Sequence, residues 1–175
     1  MGESGVVRLD DVEPEPWRNG RGTTRVLANG DGWRLSAAEI AEDAPFSAFP
    51  GLDRILAVTG DRPVRLSIGG APGTVGPGAH VRFPGEAAVR AVGVIRPVTV
   101  LNLMLDRDRA RCGFDLPAAA MTTAPDGLWL LLVLSCTARL GRTPLPPGSA
   151  VIGRDHCARV EPGGARVAFA RISST

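Results

Sequence analysis

Glycine and proline set the terms on which this chain can fold. The 22 glycines and 15 prolines fall between short apolar runs instead of gathering in one linker, which is the punctuation of many turns joining many short strands. Extended segments are predicted at 33–40, 55–58, 64–68, 80–83, 87–92, 98–105, 128–135, 137–140, 150–153 and 165–172. Val64-Arg65-Leu66-Ser67-Ile68 alternates apolar with polar, as a half-buried strand does, whereas Leu128 begins a wholly apolar run that reads as a buried strand. That run is less than half the length of a bilayer-spanning helix, and Arg139 follows it closely. Helix is confined to 106–111 or 118–121, where Pro117 and Pro125 keep it short.

Two stretches share one order of elements: apolar run, tight turn, alternating strand, Pro-Gly corner, strand. The first runs through Ile55, Gly60-Asp61, Val64, Pro77-Gly78 and Phe83, and the second through Leu130, Thr137, Pro147-Gly148 and Gly153. A glycine at such a corner lets the chain turn sharply between strands that close a jelly roll. A chain rich in Pro and Gly also produces such matches by chance.

At 175 residues the chain fits one compact domain or two small barrel halves, and it can bury a core without disulfides or structural metal. Cys112, Cys136 and Cys157 form no CxxC pair and leave one unmatched, so free thiols in a reducing compartment are expected. The acidic start of the chain lacks the basic and apolar regions of a signal peptide, which makes the cytoplasm the expected location. A net charge of +2 with acids and bases scattered along the chain provides no basic stripe, and neither nucleic acid nor membrane is an expected partner. Lysine, tyrosine and glutamine are absent, so all 20 Lys+Arg residues are arginines. A GC-rich coding sequence would replace Lys by Arg without any selection for function. Its chemical consequence is that a Schiff-base lysine and a phenolic acid or base are excluded, leaving carboxylates, His80 and His156, Ser, Thr and Cys.

Three polar segments carry the chain's identity. Pro16-Trp17-Arg18-Asn19-Gly20-Arg21-Gly22-Thr23-Thr24-Arg25 leads into Trp33-Arg34-Leu35-Ser36-Ala37-Ala38-Glu39-Ile40, then Pro45-Phe46-Ser47-Ala48-Phe49-Pro50-Gly51-Leu52-Asp53-Arg54. Together with Arg82-Phe83-Pro84-Gly85-Glu86 and Leu101-Asn102-Leu103-Met104, they resemble the HutD/Ves family over Trp17 to about Arg107. Arg21 stands where that family usually has glycine, and Leu101 stands where an aspartate commonly precedes the asparagine. The resemblance implies an all-β, two-barrel (bicupin) jelly roll with little helix, forming one unit with an N-terminal half of about 1–108 and a C-terminal half of about 109–175. It also implies a link to bacterial histidine utilisation, with binding of a small acidic metabolite such as formylglutamate, moderation of the pathway, and no established catalysis or cofactor.

Physically, the same segments suit an anion site. The planar fork of arginine holds a carboxylate with two parallel hydrogen bonds, which makes Arg25 and Arg54 the first candidates. A salt bridge from Arg54 to Asp53, or an outward-facing Arg25, is the structural alternative. Asn19, Thr23 and Thr24 supply neutral donors and acceptors in a Gly-rich stretch, where Asn-Gly also forms turns. Trp33, with Trp17, Phe46 and Phe49, either walls a pocket or packs in the core. Glu39 shares a strand face with Trp33, Leu35 and Ala37, opposite Ser36, and is either a paired structural carboxylate or a ligand contact. Asn102, on an apolar strand beside Val98, Val100 and Met104, must find partners in a network or a ligand.

With only two histidines, far apart and in neither HxH nor HxxxH spacing, the sequence lacks the ligand cluster of metal-binding cupins, and no metal is expected. Three readings remain open. The leading one is a metal-free protein that binds an anionic metabolite, and the second a metal-independent isomerase or hydrolase with Glu39 or His80 as base. The third is an interaction module whose partner is a second copy of itself.

Overall fold

A computed structural model describes residues 4–17, 22–116, 121–122, 127–155 and 159–175. Its first strands are β1 (Ser4–Val7), β2 (Glu15–Pro16), β3 (Gly22–Gly30), β4 (Trp33–Ile40), β5 (Leu52–Val58), β6 (Val64–Ile68), β7 (Ala71–Val75), β8 (His80–Pro84), β9 (Val89–Ala91) and β10 (Val98–Asp106). These are followed by β11 (Ala110–Asp115), β12 (Met121–Thr122), β13 (Leu128–Ser135), β14 (Ala138–Leu140), β15 (Thr143–Leu145), β16 (Ala150–Arg154), β17 (Arg159–Glu161) and β18 (Arg166–Ser174). Helix among the described residues amounts to one 3-10 turn, Leu9–Asp11. The fold is thus all-β. The segment 106–111, expected as a short helix, is instead the tight turn from β10 into β11, with Arg109 N–H bonded to the Asp106 carbonyl at 3.2 Å. The Gly-rich stretch read as a loop becomes β3 from Gly22 onward, because its small residues pair with β4 across a bulge at Val26/Ala28.

All strand pairs are antiparallel and fall into four sheets, none of which closes on itself into a barrel. Their orders are β2-β3-β4-β10-β5-β8, β7-β6-β9, β1-β16-β13-β18-β11 and β12-β17-β14-β15. Three apolar layers lie between them. Ile40, Leu56, Val58, Leu66, Phe83 and Val100 fill the space between the six- and three-stranded sheets. Trp129, Leu131, Val133, Leu145, Val160 and Phe169 do the same between the five- and four-stranded sheets. Leu35, Ile55, Leu103, Leu130, Leu132 and Ala168 join the two large sheets back to back. Strand β13 shows why its sequence is apolar from Leu128 to Leu134: Leu128, Leu130, Leu132 and Leu134 face the central layer, while Trp129, Leu131 and Val133 face the outer one. A strand buried on both sides has no solvent face to mark with polar residues.

The two halves repeat one strand order. β8-β5-β10-β4 corresponds to β16-β13-β18-β11, and β7-β6-β9 to β15-β14-β17. The Pro-Gly corners match down to their hydrogen bonds. Gly78 N–H donates to the Val58 carbonyl at 3.0 Å and Gly148 N–H to the Val133 carbonyl at 2.9 Å. Both glycines have positive φ, 68° and 82°, a conformation that costs glycine alone nothing. This correspondence aligns Arg54, Phe83 and Asn102 of the first half with Trp129, Gly153 and Phe169 of the second.

Candidate functional site

The outer face of the six-stranded sheet opens into a cavity of about 390 Å³ beyond the apolar layer. Its floor follows from strand register. Met104 of β10 pairs with Arg34 of β4 on one side and Arg54 of β5 on the other, and Asn102 pairs with Ser36 and Leu56. Side chains two apart share a face, so Arg34, Ser36, Arg54, Asn102 and Met104 all line the cavity. Walls come from the segment 45–49, tied down by Phe46 N–H to the Val89 carbonyl and Phe49 N–H to the Gly85 carbonyl, both 2.8 Å. The opposite rim is Glu15, Pro16 and Trp17, whose indole N–H donates to Thr24 Oγ1 at 2.7 Å.

Arg54 dominates the electrostatics. It is 5% exposed, its Nε donates to Asn102 Oδ1 at 3.3 Å and its Nη1 to the Ser47 carbonyl at 3.2 Å. Phe46, Phe49 and Phe83 surround the guanidinium at 5.5, 5.4 and 5.0 Å. No carboxylate pairs with it among the described residues, because Asp53, on the opposite face of β5, bonds Arg107 at 2.6 Å. Burial pushes the Arg54 guanidinium down to about 10, which still leaves it charged at neutral pH. Three aromatic faces and two neutral acceptors compensate part of the desolvation. The remainder is a buried cation that no acid among the described residues complements.

Of the candidates read from the sequence, Arg54, Asn102 and Thr24 line this cavity, and so do Trp17, Phe46 and Phe49, for which a pocket wall and core packing were both open. The other candidates lie elsewhere. Arg25 belongs to the opposite face of β3, opposite Ala37, and its Nε bonds the Val12 carbonyl at 2.8 Å. Trp33 packs in the central layer. Thr23 pairs with Glu39, and Glu39 is exposed at the strand end, so the expectation of a buried carboxylate there is overturned. His80, the other proposed base, is half-buried against Phe114 at 4.8 Å and away from the cavity. Asn19, Arg21, His156 and Cys157 lie outside the described residues. Among the described residues no group of three His, Cys, Asp or Glu side chains is placed to hold a metal ion. Leu101 faces the central layer, so an aspartate there would not reach the cavity from this register. Arg34 was missed, although its parity with Ser36 in β4 was the available signal.

A clamp outside the cavity positions the Phe49 wall. Arg107 donates to Asp53, to both Glu86 carboxylate oxygens at 2.8 and 2.6 Å, and to the Leu52 carbonyl at 2.9 Å. Gly85 sits inside this clamp, where an added Cβ would meet the Phe49 carbonyl. The Arg107 hydrogen bond holds the Glu86 carboxyl below its ordinary value of 4.5. A depressed carboxyl contributes stability that is present above its unfolded pKa and disappears as pH falls through the folded value. Arg107→Ala is therefore expected to be less stable than the wild type near neutrality, with the difference shrinking progressively below about pH 4.5. Urea denaturation across that range reads the difference directly.

The comparisons agree with this architecture. The HutD family model matches residues 9–171. A Pseudomonas putida relative, an uncharacterized 21.2 kDa protein in the hutC 3′ region, is 35% identical over 119 residues, 63% of each chain. Protein Ves of Cronobacter sakazakii is 29% identical over 93% of this chain and 97% of its own. Among solved structures, HutD from Pseudomonas fluorescens, in a formate condition, superposes with a TM-score of 0.87 at 20% identity, covering 99% of this chain and 100% of that one. A cupin 2 conserved barrel domain protein from Leptotrichia buccalis gives a TM-score of 0.60 at 11% identity over 98% and 96%. The fold is therefore cupin-like.

Proposed function

This chain belongs to the HutD family, and from that premise we propose that it binds a small anionic metabolite of histidine degradation and thereby moderates histidine utilisation. The observation that carries the reading is Arg54: a buried guanidinium at the floor of a cavity, ringed by three phenyl groups and lacking a carboxylate partner among the described residues. Such a site holds a carboxylate by charge-assisted hydrogen bonds in a partly desolvated setting. A formylglutamate-like acid fits the reading, since Arg54 can hold one of its two carboxylates while Ser36 and Thr24 offer neutral partners to its amide. The hutC-region name of the P. putida relative supports the pathway.

On the same reading each half, about 1–108 and 109–175, is one cupin-type barrel, a division supported by the repeated strand order. The first half keeps its cavity, while in the second Trp129 stands at the position of Arg54. The setting proposed is cytoplasmic, with the protein alone or as a homodimer. No helix among the described residues is long and apolar enough to cross a membrane.

A thermal-shift titration with formylglutamate, glutamate, urocanate and formate tests the proposal. A ligand at ~100 times its dissociation constant stabilises the folded state by about 2.7 kcal/mol. In a chain of this size that raises the melting temperature by roughly 5–10 °C. Stabilisation by formylglutamate is the expected result, and a flat response to all four acids would overturn the proposal.

A further inference from the structure

Away from the carboxylate cavity the surface carries two patches of opposite charge. The first is the segment leading into β3, where Asp10, Asp11, Glu13 and Glu15 fall within six residues. All four are exposed, and none forms an ion pair among the described residues. The second is a groove of about 440 Å³ beside the loop 92–97, lined by Arg62, Arg65, Arg96, Val94, Ile95 and Val98. Arg65 and Arg96 pair with no acid among the described residues, and Arg62 reaches only its neighbour Asp61, at 4.0 Å. Ile95 is 93% exposed, against 41% for Val6 and 40% for Leu116. Three arginines gathered around a fully exposed isoleucine mark a surface suited to an acidic, partly apolar partner.

We infer that this groove is an interface for a second copy of the chain and takes that copy's segment 10–15, with its acids on the groove's arginines and Ile95 against Val12 and Pro14. The segment cannot neutralise its own groove, because it is tied to β3. Glu15 pairs with Thr24, Arg25 Nε holds the Val12 carbonyl at 2.8 Å, and Trp17 N–H bonds the Gly22 carbonyl at 2.9 Å. The two patches nevertheless adjoin, since Leu9 and Arg62 line one smaller cavity. Adjoining patches of opposite charge form a self-complementary surface, and a twofold axis between them makes the contact twice. Nucleic acid or an anionic membrane fits less well, as the acids beside the groove repel it. The interface rests on elements that wall the carboxylate cavity, whatever that cavity binds. The acidic segment runs into the rim at Glu15, Pro16 and Trp17. On the other side Val94 N–H donates to Asp43 Oδ1 at 2.7 Å and Ala91 N–H to the Ala44 carbonyl at 2.9 Å, just before the wall at Phe46.

Sedimentation velocity at low salt, from about 1 μM to about 1 mM protein, reads the association across the range of weak specific contacts. Dimers are expected, and high salt should disperse them by screening the charges. Reversing the groove with Arg65→Glu and Arg96→Glu is expected to weaken association at least about 10-fold, as is reversing the segment with Asp11→Arg and Glu13→Arg. Ile95→Ser, at a position the fold does not use, should weaken it by about 10-fold as well. Mixed in equal amounts, the two charge-reversed variants match at both contacts and should regain wild-type affinity to within about 3-fold. A wild type that stays monomeric throughout the series overturns the inference and leaves the groove to another partner. Dimers indifferent to all three changes place the interface elsewhere and overturn it too, as does a mixture of the two folded variants that fails to associate.

Discussion

Arg54→Met is expected to eliminate carboxylate-induced stabilisation while leaving the unliganded protein close to wild-type stability. On the proposed reading the two effects separate, because the Arg54 charge serves the ligand more than the fold. Within the fold it is buried, bonded to Asn102 Oδ1 and the Ser47 carbonyl, and uncompensated by any acid among the described residues. Replacing buried ionic groups with an apolar side chain of similar volume is often neutral or stabilising by ~1–4 kcal/mol. Against that stand the lost cation–π contacts with Phe46, Phe49 and Phe83, each worth about 0.5–2 kcal/mol, and an Asn102 side chain left with one partner fewer. These contributions oppose each other, so the apo melting temperature should move by less than about 8 °C. Binding has no such cancellation. Removing one member of a desolvated charge pair costs about 2–5 kcal/mol, a loss of roughly 30-fold to several thousand-fold. Denaturation and calorimetry on one preparation read both quantities. Unchanged affinity in a folded variant would remove Arg54 from the site.

Trp129→Ala should have the opposite signature, a large loss of stability with binding retained. Trp129 is 1% exposed and fills the second half's counterpart of the cavity beside Arg54, packed on Phe169 at 6.2 Å between ring centroids. Its indole lies directly over Gly153, where an added Cβ would overlap the six-membered ring. Truncating a buried tryptophan to alanine costs about 3–5 kcal/mol, which lowers the melting temperature by roughly 6–20 °C in a chain of this length. The cavity beside Arg54 lies on the far side of the central apolar layer. Carboxylate affinity in Trp129→Ala should therefore stay within about 3-fold of the wild type, since distant sites act additively. A destabilisation under about 1 kcal/mol would show that the indole does not fill this space.

These contrasts show how far the site was legible before folding. Asn102 stood out because an amide on an apolar strand needs partners, and Arg54 because its planar fork within the polar motif suits a carboxylate, although 48 positions separate them in the chain. Arg25, Thr23, Trp33 and Glu39 belong to the same polar motifs yet fall on other surfaces. Alternation in β4 places Ser36 and Glu39 on opposite faces, as read. It does not say which face receives the cavity, because both sides of this sheet are covered. Choosing the wrong face promoted Glu39 and passed over Arg34. The choice is made by β10, whose pairing with β4 and β5 brings Arg34, Met104 and Arg54 into one row.

By itself the sequence determined the class of fold. Short apolar runs separated by Gly and Pro cannot build long helices, and the Pro77-Gly78 and Pro147-Gly148 corners set matching turns because the conformations they need are local properties of the backbone. The repeat of strand order was visible for the same reason. Tertiary structure alone decided how strands distant in sequence pair into four open sheets, which outer face keeps a cavity, and which is sealed by Trp129. Those outcomes depend on side chains meeting across strands, and an isolated strand carries no information about its neighbours. Phe83 beside Arg54 leaves a cavity open, and Gly153 beneath Trp129 leaves none.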